Sequence, residues 1–197
     1  MSNTTTSRAY HHGNLLQTLV IQAIQLIEDE GLAALSLRRV AREAGVSQAA
    51  PYSHFKNKQA LLTAVANEGF ERFEKSMQLY SDKSDNYMVG LGVGYVMFAI
   101  NNPGLFHLMF GGELSEMIDK DGVSEAFNSS YAMLVNGLND NPLSKFHDED
   151  RQLDTALMWG LVHGIANLLL AQKLEAEDYG FSQNEAFVEA LLRRCIV

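Results

Sequence analysis

The chain has 197 residues, 47% of them hydrophobic, with one cysteine and a formal net charge of −9. That length buries a genuine core without covalent staples, and the lone Cys195 excludes intrachain disulfides and multi-cysteine zinc sites, which suits a reducing compartment. The opening residues lack a leader-type apolar core, and no run approaches ~18 uninterrupted apolar residues, so a cytoplasmic protein with no membrane partner is expected.

The charge is unevenly placed. Residues 1–60 hold six Lys/Arg against four Asp/Glu, whereas residues 61–197 hold nine against twenty. A basic patch on one small module can bind phosphate while an acidic remainder orients the docking.

Residues 1–13, rich in Ser, Thr and Asn, are expected as a flexible arm. Arg8 on it suits a minor groove, and the adjacent His11 and His12 are a weak signal for metal, so no metal is expected. From Asn14, the positions Leu16, Leu19, Val20, Ala23, Ile24 and Ile27 recur with the period of an amphipathic helix, which Gly31 stops. Ser36 is the expected N-cap of a short second helix ended by Gly45. Ser47 is the expected cap of a third, near Gln48 to His54. Pro51 sits about four residues into that third helix, where it removes a hydrogen bond and crowds the carbonyl before it. Leu61, Leu62, Val65, Ala66, Phe70 and Phe73 then mark a longer fourth helix.

Beyond Ser81, helices are expected near 86–100, 103–110, 123–138, 148–174 and 182–195, with Asn102-Pro103 as a cap followed by a first-turn proline. The fold class is therefore all-α: an N-terminal three-helix helix-turn-helix module joined by a fourth helix to a larger C-terminal bundle. Residues 1–60 are assigned to the first domain and 61–197 to the second. "GLGVGY" (Gly90 to Tyr95) imitates a phosphate loop, but no strand precedes it and no Lys-Ser/Thr follows. Close packing and a flexible pocket wall both account for its glycines.

Two short helices around Gly45 match a helix-turn-helix, whose second helix enters the major groove. Ala49 and Ala50 permit close approach and can touch a thymine methyl, and Gln48 can pair with adenine. Ser47, Tyr52 and His54 offer groups suited to phosphates, Lys58 begins the fourth helix, and Arg38 is placed for a base edge or a phosphate. The same residues also suit the solvated face of an ordinary helical hairpin.

The stretch "LSLRRVAREAGVSQAAPYSHFKNKQALL", within Leu15 to Phe70, resembles the tetracycline-repressor (TetR) family of bacterial transcription regulators. The resemblance implies base-edge contacts at Arg38, Gln48 and Ala50, with Ala49 a weaker candidate. It implies phosphate contacts at Ser36, Ser47, Tyr52, His54 and Lys58. It also implies a repressor bound to a palindromic double-stranded DNA operator and released by a small-molecule effector.

"MWGLVHGIANLLL" (Met158 to Leu170) places Gly160 and Gly164 four apart beside Trp159 and His163. It resembles a C-terminal domain of the same family named for its Trp and His-Gly residues, which implies a homodimer through the last two helices. Tyr95, Phe98, Phe106, Met109, Phe110, Met133, Trp159 and His163 are candidates for an effector pocket, and the aromatic and Met cluster serves equally as a bundle core. No cofactor and no catalytic set is expected. The rival readings are an enzyme with His163 as base and a DNA-binding relative that organises chromosomes. Cys195, beside Arg193 and Arg194, reads as a partly buried structural cysteine.

Overall fold

The apolar stripe of the first segment becomes α1 (Leu15–Glu30), which buries Leu19, Val20, Ala23, Ile24 and Ile27. Leu16, counted in that stripe, lies exposed in the first turn. The computed structural model describes residues 15–111, 120–140 and 151–196, so the expected arm with Arg8, His11 and His12 lies outside the described residues. Gly31, at φ 81°, breaks α1, and a 3-10 turn over Leu32–Ala34 leads to α2 (Leu37–Glu43). Ser36 caps α2 as expected, its side chain accepting the Arg39 amide at 3.2 Å.

The third helix differs from expectation. Residues Ala50–Ser53 form a single 3-10 turn with no side-chain cap, reached through a looser turn whose Ala50 amide bonds to the Ser47 carbonyl. Pro51 explains the difference: it has no amide to donate and disfavours helical backbone at Ala50, so a regular helix cannot be carried through it. The Ser53 hydroxyl then holds the turn by donating to the Ala50 carbonyl at 2.7 Å.

Asn57 caps α3 (Lys58–Lys83) through the Ala60 amide, and this helix runs without a break into the bundle. The bundle comprises α4 (Tyr87–Asn101), α5 (Pro103–Phe110), α6 (Lys120–Asp140), α7 (Arg151–Leu170) and α8 (Asn184–Ile196). There are no strands among the described residues. The all-α architecture expected from the sequence is the one observed.

Helix α4 is the axis. Eleven of its fifteen residues are buried, and it packs against α3, α5, α6, α7 and α8. Its glycines are there for close packing. A Cβ added at Gly90 would stand 2.5 Å from Ser81 Cα, and one at Gly94 would stand 2.6 Å from Met77 Cα. The two helices therefore touch backbone to backbone, and the Ser76 hydroxyl donates to the Gly94 carbonyl at 2.9 Å.

Two helix ends also depart from expectation. Helix α7 stops at Leu170 rather than Leu174, because Gln172 turns left-handed (φ 53°) and the Gln172 and Lys173 amides fold back onto the Leu169 and Leu168 carbonyls. At α5, Asn102 precedes Pro103 without capping it and instead donates to the Phe98 carbonyl. Cys195 is exposed, not partly buried. Within α7, Gln152–Leu170 is apolar and long enough to cross a bilayer by length and composition, and only 28% of the apolar window within it is buried in the chain.

Candidate nucleic-acid interface and ligand cavity

The turn after α2 is built by backbone bonding. Ala44 closes the helix, Gly45 takes φ 67°, its amide bonds to the Arg42 carbonyl, and the Val46 amide reaches the Ala41 carbonyl at 3.0 Å. This pair of reversed bonds is the Schellman ending, which a left-handed glycine makes at low cost. Leu37, Val40, Ala41, Pro51 and Phe55 are buried beneath it. The turn is therefore held from below and presents its outer side to solvent.

On that outer side, Ser36, Arg38, Ser47, Gln48, Ala49, Tyr52 and His54 are exposed, while Ala50 and Lys58 are half-buried. Lys58 Nζ reaches back to the Leu32 carbonyl at 3.5 Å, so the cation lies at the seam of α3 and the first turn. The neighbouring cations are divided. Arg39 pairs with Glu30 and Glu43, and Arg42 pairs with Glu43 at 3.0 Å. The Arg42 hydrogen bond is the main reason the Glu43 carboxyl lies below its ordinary range, with burial opposing it and the Arg42 and Arg39 charges and the Arg39 hydrogen bond adding to it. Among the described residues Arg38 and Lys56 carry no ion pair and remain available to an incoming phosphate.

Helices α3 to α7 enclose an apolar cavity. Helix α3 supplies Phe70, Phe73 and Met77, and α4 supplies Met88, Leu91, Gly92 and Tyr95. The far wall is Phe110 of α5, Phe127, Ser130, Tyr131 and Leu134 of α6, and Met158, Trp159 and Val162 of α7. Its non-atom space is about 570 Å³ with the mouth included, yet the centre of a water-sized sphere fits in only about 50 Å³ of it. It is a thin slot.

Of the residues considered for a pocket, Tyr95, Phe110 and Trp159 line this slot. Phe98, Phe106 and Met109 are buried outside the lining, and Met133 is half-buried against the core. His163 stands one layer out: its Nδ1 lies 2.8 Å from the Tyr95 hydroxyl, and its ring packs near Phe106 and Phe110. Trp159 Nε1 donates to the same hydroxyl at 3.3 Å. Burial pushes the Tyr95 hydroxyl well above its usual range, the Trp159 bond opposing, and burial lowers His163 below its own. The residues missed from sequence fall at helical spacing, as in Phe70, Phe73 and Met77 or Phe127, Ser130 and Leu134. Each stripe is visible in the chain, but their convergence is not.

A capped short helix, a left-handed turn and an exposed small-residue turn flanked by unpaired cations define a helix-turn-helix DNA-binding protein of the transcription-regulator class. Models of two families match: the bacterial regulatory proteins of the tetR family over residues 19–65, and the tetracyclin repressor-like C-terminal domain over residues 88–195. The chain belongs to the TetR family. It is 46% identical over 50 residues to the class C tetracycline repressor protein of Escherichia coli, an alignment that spans 25% of this chain and 23% of that protein. A protein of unknown function from Rhodococcus sp. RHA1 has a similar structure, with a TM-score of 0.80, 30% identity, and 96% and 97% of the two chains covered. The structure of AibR in complex with isovaleryl coenzyme A and operator DNA shares the fold, with a TM-score of 0.67, 16% identity, and 92% and 97% coverage.

Proposed function

We propose that this regulator is a homodimeric repressor that holds a palindromic operator with the turn Ser47 to Tyr52 and releases it when a small molecule fills the cavity. The observation that supports the reading is the Schellman turn at Gly45, followed directly by the exposed Ser47, Gln48 and Ala49, with Arg38 exposed on the helix before it. Arg38, Gln48 and Ala50 read base edges, with Ala49 beside them, while Ser36, Ser47, Tyr52, His54 and Lys58 grip phosphates. Residues 1–60 act as the DNA-binding domain and 61–197 as the sensing and dimerising domain. The protein works in the cytoplasm.

An effector that binds better to the form unable to dock shifts the population away from the operator. Helix α5 gives this a mechanical route, since it carries Phe110 at the cavity and is bonded at its other end to Glu28 of α1. His163 Nδ1 is already bonded to Tyr95, which favours a packing role over that of a general base.

The test is selection of operator sequences from random duplexes, followed by variants. Lys58→Ala weakens binding to every selected duplex and shallows the salt dependence by about one counter-ion. Gln48→Ala relaxes preference at one base pair, at a cost of about 1–3 kcal/mol for the preferred base. A uniform loss across all sequences for Gln48→Ala removes its base-reading role. No enrichment of any duplex at low salt overturns the reading.

A further inference from the structure

The cavity's chemistry says more about its occupant than the fold does. Of its fifteen described lining residues seven are aromatic and three are methionine, and none is Asp, Glu, Lys or Arg. A charged group entering such a space loses its hydration and meets no counter-ion among the described lining residues, which is strongly unfavourable.

The polar side chains deeper in the wall are already used. Trp159 Nε1 can only donate, so it gives its proton to the Tyr95 oxygen. The Tyr95 proton then goes to His163 Nδ1, the acceptor facing it at 2.8 Å. With the proton placed so, His163 is the neutral tautomer protonated on Nε2, and the Trp159 N–H and the Tyr95 hydroxyl are both satisfied. Ser130 is not without a partner either. Along the inner wall a carboxylate thus meets no charged partner among the described residues, nor does an ammonium, and the remaining hydroxyl, that of Tyr131, is neutral and stands at the mouth.

Shape adds a second restriction. So little of the slot admits a water-sized sphere that a branched or bulky ligand cannot enter without moving the walls. Met77, Met88 and Met158 can shift to admit a slender one. Tyr131 and Trp159, 38% and 36% exposed, mark the mouth, where one neutral polar group can stay near water.

We propose, building on the effector reading above, that the cavity takes an uncharged, slender, largely hydrocarbon molecule, and that a carboxylate, an ammonium or a coenzyme A thioester is discriminated against.

Trp159 is the sole tryptophan and lines the slot, so its emission reports occupancy directly. The full-length protein is titrated at pH 7.5 with 1-octanol, octanoate, octylammonium and octanoyl coenzyme A, and stoichiometry is checked by calorimetry. The expected result is a saturable change with 1-octanol, one per chain, with a Kd at least tenfold below those of the other three. If any charged compound binds as tightly as 1-octanol, the neutrality claim is wrong while the cavity remains a binding site. If none of the four gives a saturable change, the cavity is not the effector site and both readings fall.

Discussion

Tyr95 is the residue on which the interior of the bundle is keyed. Its ring lies edge-on to Phe73 and Phe106, and its hydroxyl joins Trp159 to His163. Tyr95→Phe keeps the ring and strands two partners at once. Because water reaches both Trp159 and His163 in part, the expected loss is about 1–2 kcal/mol rather than the full cost of orphaned buried groups. For a chain of this size that is roughly 2–8 °C in the midpoint of thermal unfolding followed by circular dichroism. His163 adds a pH signature. Burial lowers its folded-state pKa, so the native protein resists the proton that the unfolded chain accepts near pH ~6.5. Its contribution to stability is complete above that pH and is lost as the pH falls below it. His163→Gln retains an acceptor for Tyr95 and cannot titrate. The unfolding midpoint of His163→Gln should therefore fall less than that of the native protein between pH 7.5 and 5.5, and equal slopes exclude His163 as the source.

Helix α5 shows what an element owes to a distant part of the chain. Its first turn has Pro103, which lacks an amide, and then the Gly104 and Leu105 amides, both of which donate at 2.8 Å to the carboxylate of Glu28. A cap supplied from α1 fixes α5 against that helix and places a negative charge at the positive end of its dipole. Glu28→Ala should lower stability by about 1–2 kcal/mol and Glu28→Gln by less, with faster amide exchange confined first to α5. A loss equal in the two variants, or spread evenly over the bundle, would mean that the carboxylate does not hold α5. Nothing in the sequence pairs Glu28 with residues 76 positions away, whereas local chemistry was readable. Ser36 before an apolar stripe, Gly45 after one and the run from Leu61 to Phe73 each announce their element within a few residues. The third helix failed because Pro51 and its neighbour choose the tighter 3-10 turn, and α7 was read too long because a non-glycine residue, Gln172, takes the left-handed turn. The cavity was only partly legible for a related reason: five stripes had to be brought to one place, and periodicity carries no information about which stripes meet.

At the scale of the molecule, the outer face of α7 is unfinished in a single chain. Leu153 and Leu157 are 64% and 62% exposed, Leu168 is exposed beyond them, and a Cβ added at Gly160 or Gly164 would meet nothing within 4 Å. Such a face, leucines flanking a smooth strip of small residues, lets a second helix approach closely and bury the apolar surface. In the proposed dimer it meets its own copy, with α8 alongside. Leu157→Asp distinguishes the fold of one chain from its assembly. Since the side chain is largely in water in the single chain, folding stability should change by no more than about 0.5 kcal/mol, and helical content should hold. Two aspartates facing each other across a two-fold interface, however, are desolvated without partners. Sedimentation at micromolar concentration should therefore show a monomer. Operator binding should suffer further than any single contact explains, because the second half-site ceases to be an intramolecular event and avidity of roughly 10²–10⁴ is lost. The salt dependence should shallow in proportion to the phosphates no longer engaged. A Leu157→Asp protein that stays dimeric and binds a two-half-site operator unchanged would place the dimer contact on another face of the bundle.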